Sequence, residues 1–267
     1  MRQKIIDELK RIEQAEGIRI LYAVEAGSRG WGFESKDSDW DVRFFYIHKI
    51  EWYLSIDSKS DHLEYRIDNV LDYSGWELRK TLRLFRKSNP SLLEWLRCPI
   101  IYLEPFSTAL QMRDLTSEYF SPESCMFHYL HMAMGNYREY LKGDYVRVKK
   151  YFYVLRPILA CQWIERNNSM APMEFRKLLE TQVDDKALKA AIEGLLNRKM
   201  KGEESDIQPR IEIINDFLED RIAHYKKYLK RYGSRRQREL DTEKLDRLFR
   251  STLKEVWNFC GRGNPIT

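Results

Sequence analysis

The sequence predicts an α+β chain, with short strands and helices mixed over residues 1–104 and helices alone over residues 105–267. Two observations carry this. In the first part apolar residues come in short β-branched or alternating runs next to glycine; beyond about residue 107 they recur at helical spacing in one segment after another. With 267 residues, 43% of them hydrophobic and 33% charged, the chain can build a sizeable core under a solvated surface, as one large domain or two ordinary ones.

Taken in order, Ile5, Ile6, Leu9 and Ile12 lie at helical spacing and predict an opening helix. Residues 18–24 (IRILYAV) are a short apolar run ending near Gly27 and read as a buried strand. Residues 41–48 form a second strand and residues 62–67 a third, with His62, Glu64 and Arg66 on one face. Residues 75–87 read as a helix. Asn89 can cap the next helix, with Pro90 at its first position, and residues 100–103 suit a last short strand. Helices are then expected near 107–119, 122–142, 146–167, 172–181, 184–199, 208–232 and 241–260.

No apolar run approaches the roughly 20 residues of a membrane span, and the first residues lack the apolar centre of a signal peptide. A cytoplasmic protein with no membrane association is expected. Cys98, Cys125, Cys161 and Cys260 are scattered, which suits reduced, mostly buried thiols better than a zinc site. The net charge of +5 is compatible with phosphate or nucleic-acid handling without establishing either.

The chemistry concentrates in residues 26–45, AGSRGWGFESKDSDWDVRFF. Gly27, Gly30 and Gly32 let the backbone bend closely around a ligand, and Ser28 adds a hydroxyl donor to a turn whose N–H groups can cradle an anion. After a ten-residue spacer come Asp39 and Asp41. On an extended segment i and i+2 share a face, so the two carboxylates converge as a hard divalent cation requires. Singly, an acidic loop and a Gly-Ser turn are commonplace. Their order (strand, Gly-Ser, spacer, Asp-x-Asp, apolar strand) is more telling, because acids at the mouth of a buried strand are costly unless paired or metal-bound.

This arrangement resembles the DNA polymerase β nucleotidyltransferase superfamily, and within it the YcgL-like, RNA-repair-pathway polymerase β family. The resemblance extends through residues 72–80 (DYSGWELRK), 87–90, 93–96 and 149–157 (KKYFYVLRP). It implies a small mixed β-sheet nucleotidyltransferase domain followed by an all-helical domain that helps close over nucleotide. It implies transfer of a nucleoside monophosphate from an NTP such as ATP to an acceptor hydroxyl, with Mg²⁺ or Mn²⁺ as cofactor. The acceptors it leaves open are an RNA end (tRNA included), a small molecule or a protein side chain. Gly27 and Ser28 would contact the phosphates, and Asp39 and Asp41 would ligate metal. A third carboxylate is expected from a neighbouring strand: Glu64 is preferred for its polar face, with Asp72 as the rival.

Arg29 adjoins the turn and can assist there. Lys149, Tyr153 and Arg156 fall at i, i+4 and i+7, on one helical face, where they could hold the β and γ phosphates; the plainer reading is a packed tyrosine flanked by cations whose stems lie along apolar surface. His128 and His131 have metal-compatible spacing but no evident third ligand. Residues 226–238 are rich in lysine and arginine with Tyr228 and Tyr232 interleaved, suited to nucleic-acid backbone or simply to the C-terminal end of a helix. A different class of function, a non-catalytic nucleic-acid or partner-binding module that keeps the fold, fits the same residues.

Overall fold

A computed structural model describes residues 1–66, 70–203, 206–231 and 241–257. Five strands form a mixed sheet in the order β3-β4-β2-β1-β5, with β1 Arg19–Glu25, β2 Trp40–Ile47, β3 His62–Arg66, β4 Leu71–Glu77 and β5 Ile101–Leu103. β2 runs antiparallel to β1 and parallel to β4; the other pairings are antiparallel.

Helix α1 (Arg2–Glu16) covers one face of the sheet. Its buried Ile5, Leu9 and Ile12 meet Ile20, Ala23, Val42, Phe44, Tyr46 and Tyr73. A bulge between Ile20 and Tyr22 sends Tyr22 and Val24 to the other face, where they join Phe45 and Ile47 in the main core. That core continues without interruption past residue 104 into the helical half. After the short α2 (Gly27–Gly30) and α3 (Ile50–Tyr53), the helices are α4 (Leu78–Arg86), α5 (Pro90–Arg97), α6 (Thr108–Tyr119), α7 (Pro122–Tyr140), α8 (Val148–Asn167), α9 (Phe175–Gln182), α10 (Lys186–Met200), α11 (Glu212–Lys230) and α12 (Glu243–Trp257).

Most expected elements are present; two corrections matter. The stretch expected to be helical from residue 75 is strand β4 as far as Glu77, and only then helix. Its burial alternates residue by residue, and the Glu77 side chain accepts from the N–H groups of Arg79 and Lys80, capping α4. Gly75 is a strand residue over which the Phe44 ring lies; a Cβ there would stand 2.3 Å from that ring. Second, the helical half is not purely helical: β6 (Tyr145–Arg147) and β7 (Ile207–Pro209) form a two-stranded ribbon beside the start of α8. Cys98, Cys125 and Cys161 are buried free thiols. Cys260 and the basic segment beyond Arg231 lie outside the described residues. No helix among the described residues is long and apolar enough to cross a membrane.

Candidate active site

The last rungs of the β1–β2 ladder deliver the chain to the site. Ala26 N–H donates to the Asp41 carbonyl at 2.8 Å, and the chain then turns at Gly27, with φ of 56°, into α2. The turn closes on itself through Trp31 N–H to Gly27 O (3.0 Å) and Phe33 N–H to Ser28 O (3.1 Å). The first amides of such a turn have no acceptor within it and are available to an anion. Gly27 is needed here for two reasons. Its φ is left-handed, and a Cβ would lie 2.0 Å from Asp41 Oδ2, so the carboxylate occupies the space any other residue would fill.

Asp41 stands near the start of β2, and Asp72 is its direct partner on the parallel strand β4. Both carboxylates hold the same guanidinium: Arg43 Nη2 donates to Asp41 Oδ1 at 3.1 Å and to Asp72 Oδ2 at 2.9 Å. Burial raises the Asp41 pKa; Arg43 opposes the rise, and the negative charges of Asp72 and Asp39 add to it. Asp39 is exposed, two residues before Asp41 along the extended chain. Glu64 sits elsewhere. It is exposed on the sheet's edge strand β3, opposite Ser74 rather than Asp72, with the whole of β4 between it and β2. The cross-strand partner of Asp72 on that edge is Arg66.

The donors suit a divalent cation. They are hard oxygen ligands on adjacent strand starts, and a cationic group already lies between two of them. Among the described residues no three acidic, histidine or cysteine side chains enclose a metal position, and the Arg43 guanidinium fills the space between Asp41 and Asp72.

Two groups that sequence reasoning missed complete the site. Arg43 lies at i+2 from Asp41 on the same strand face, a periodicity visible in D-x-D-x-R. Glu25, the last residue of β1, is fully buried; its carboxylate accepts the Asp41 N–H at 2.8 Å and the Tyr102 hydroxyl at 2.6 Å. An acid closing an apolar strand just before a glycine turn was its only signal. Burial pushes the Glu25 carboxyl up to about 7. Between the unfolded value near 4.5 and about 7 the folded state keeps a proton the unfolded chain has lost, so stability falls as pH rises through that window. Glu25→Gln keeps the shape without the charge. In metal-free urea unfolding it should match wild type near pH 4 and exceed it at pH 8 by up to about 3 kcal/mol. Equal differences at both pH values would contradict this.

The other expected ligands are placed as follows. Arg29 is committed to structure: it donates to the carbonyls of Ser38 (2.9 Å) and Asp39 (3.2 Å), and its guanidinium lies 3.8 Å from the Trp40 ring centroid. Ser28 is half-buried in the turn. Lys149, Tyr153 and Arg156 are not brought together. Tyr153 is on the outer side of α8, whereas Arg156 is 3% exposed, paired with Glu94 at 2.7 Å and lying against Trp31. Tyr129 also donates to Glu94. Arg156 therefore supports the turn from behind, as one member of a buried ion pair.

A glycine turn pressed against one strand carboxylate, with a second carboxylate in register on the parallel neighbour, is the plan expected of polymerase-β-type nucleotidyltransferases. The comparisons agree with that class. The model of the RNA repair pathway DNA polymerase beta family matches residues 1–251, and the chain belongs to that family. It is 53% identical over 261 residues to the uncharacterized protein YcgL of Bacillus subtilis (strain 168), covering 98% of this chain and 100% of that protein. A solved nucleotidyltransferase-like protein from Exiguobacterium sibiricum 255-15 aligns over 95% of this chain and 91% of its own at 10% identity, with a TM-score of 0.33, too distant to bear on the site.

Proposed function

We propose that the protein transfers a nucleoside monophosphate from an NTP to an acceptor hydroxyl, with an RNA end as the acceptor class the family favours. The observation that carries this reading is the register of Asp41 with Asp72, two residues after Asp39 and against the side-chain-free Gly27. Asp39, Asp41 and Asp72 are the residues to hold Mg²⁺ or Mn²⁺, and Asp72 takes the place first expected of Glu64. When bound, the metal would neutralise phosphate charge and lower the barrier to displacement at the α-phosphorus.

The chain's own residues do the rest. The amides of the Gly27 turn and the Ser28 hydroxyl bind phosphate oxygens. Asp72, with its side chain 44% exposed, receives the proton of the attacking hydroxyl. The acceptor oxygen bonds to the α-phosphorus, the bond from the α-phosphorus to the bridging oxygen breaks, and pyrophosphate leaves. Arg43, freed from the carboxylates, remains a cation beside the transferring group.

To test the reading, the protein is incubated with labelled NTPs, Mg²⁺ and tRNA or total RNA. Wild type should label RNA, and the Asp39→Asn/Asp41→Asn variant should not; equal labelling by both would sink the mechanism. The bridging of Asp41 and Asp72 by Arg43 favours a second reading, a non-catalytic binding module in which arginine permanently replaces the cation. Thermal melting separates the two. An NTP with Mg²⁺ at 100 times its dissociation constant stabilises by about 2.7 kcal/mol, and no shift with any NTP would favour the module.

A further inference from the structure

The loop that ends at Asp39 is anchored from the helical half of the chain. Lys199, near the end of α10, is 3% exposed, and its ammonium donates to Ser38 Oγ at 2.8 Å. Ser38 and Ser35 are buried as well. Ser38 Oγ accepts the Ser35 N–H at 2.9 Å and lies 3.0 Å from the Ser35 hydroxyl, which closes the loop into a compact turn. The carbonyls of Ser38 and Asp39 are the two that Arg29 holds from the α2 side. A second contact comes from the same end of α10: Gly202, with φ of 93°, faces Asp37, whose Oδ2 lies 3.6 Å from the position of an added Cβ.

Asp39 thus follows directly on a turn gripped by two cations, one from each half of the chain. Burying an ammonium is expensive, and a helix-end lysine ordinarily reaches water with its stem along the surface. Here the ammonium donates to a serine adjoining an acidic residue of the proposed metal site. Outer-shell groups that orient a ligand tune metal affinity without touching metal, and here the lysine's hold falls one residue before Asp39, on the Ser38 hydroxyl.

We propose that Lys199 is a positioning residue for this site: acting through Ser38 it fixes the segment from which Asp39 projects, so that α10 sets the affinity of the acidic cluster for divalent cation. The inference rests on the function proposed above. A ligand or partner that shifted α10 would then alter metal affinity from outside the acidic cluster.

The test is Mn²⁺ binding to the full chain, read by electron paramagnetic resonance of free Mn²⁺, alongside melting of the metal-free protein. Lys199→Met and Ser38→Ala should each weaken Mn²⁺ binding roughly tenfold, while Lys201→Met, at an exposed neighbour, should leave it unchanged. In an Asp39→Asn background the Lys199→Met loss should disappear, because the effect passes through Asp39. Ser38→Ala, which removes a single hydroxyl, serves if Lys199→Met does not fold. Affinity within twofold of wild type in the variants, even with a lowered melting point, would overturn the inference, as would an undiminished loss in the Asp39→Asn background. A wild type that takes up no Mn²⁺ either alone or with a nonhydrolysable ATP analogue would overturn the nucleotidyltransferase reading itself.

Discussion

Asp72→Asn is expected to lower nucleotidyl transfer by at least about a hundredfold, and Glu64→Gln by no more than about twofold. The contrast follows from where β4 and β3 put the two side chains. Asp72 is in register with Asp41 and shares its arginine. Glu64 is exposed on an edge strand, opposite Ser74. Removing one oxygen ligand's charge from a site that works by charge stabilisation costs several kcal/mol in the transition state, and a hundredfold is about 2.7 kcal/mol. Asp72 also differs from Asp39 and Asp41 as the proposed proton acceptor, so Asp72→Asn should reduce kcat more than it weakens Mn²⁺ binding. The measurement is single-turnover transfer with matched Mn²⁺ titrations. A large loss with Glu64→Gln and a small one with Asp72→Asn would return the third carboxylate to the edge strand.

Gly27→Ala is expected to do comparable damage by a steric route. A methyl group at that position would coincide with Asp41 Oδ2, 2.0 Å from where the Cβ must stand, and the backbone would be left in a left-handed conformation costing about 1 kcal/mol for alanine. The carboxylate must therefore move, and a ligand displaced by an ångström or so can lower rate about a hundredfold. The variant should melt at a lower temperature, bind Mn²⁺ at least tenfold more weakly and lose most transfer activity. Gly17 has the same left-handed φ with nothing within 4 Å of an added Cβ, so Gly17→Ala serves as the control. It should cost stability alone. Intact Mn²⁺ binding in Gly27→Ala would show that Asp41 does not ligate metal.

The comparison between these glycines shows what the sequence could and could not disclose. The Gly-Ser turn, the Asp-x-Asp pair and the strands on either side were legible because each rests on local spacing: two residues per side-chain repeat in a strand, and glycine where the chain bends. The third carboxylate was harder. Asp72 lies just ahead of residues 75–87, which read as a helix because Gly75, Trp76 and the apolar positions of residues 78–85 look continuous with helical spacing. The alternation of Leu71, Tyr73 and Gly75 on the buried side was the competing signal, obscured by a glycine whose purpose is to admit the Phe44 ring. Once β4 is a strand parallel to β2, Asp72 faces Asp41 by register alone.

Arg156 illustrates a different limit. Its spacing from Lys149 and Tyr153 is helical in sequence and in structure, but periodicity does not distinguish an arginine aimed at a ligand from one buried against Glu94. That depends on a partner 62 residues away in sequence. Lys199 is the same case with the opposite outcome. A lysine near the end of a helix is ordinarily solvated, and only the docking of α10 on residues 35–38 gives it a role at the site. Glu25 lies between these extremes, since its position beside the turn was visible and its burial was not.

The account depends on a cation replacing the Arg43 guanidinium between Asp41 and Asp72 when nucleotide binds. Crystals grown with Mn²⁺ and a nonhydrolysable ATP analogue test this directly through manganese anomalous scattering. The account predicts manganese ligated by Asp39, Asp41 and Asp72 at about 2.0–2.3 Å, phosphate oxygens at the Gly27–Ser28 turn, and Arg43 withdrawn from Asp41. Manganese bound away from these three residues, or nucleotide bound while Arg43 still bridges Asp41 and Asp72, would contradict it.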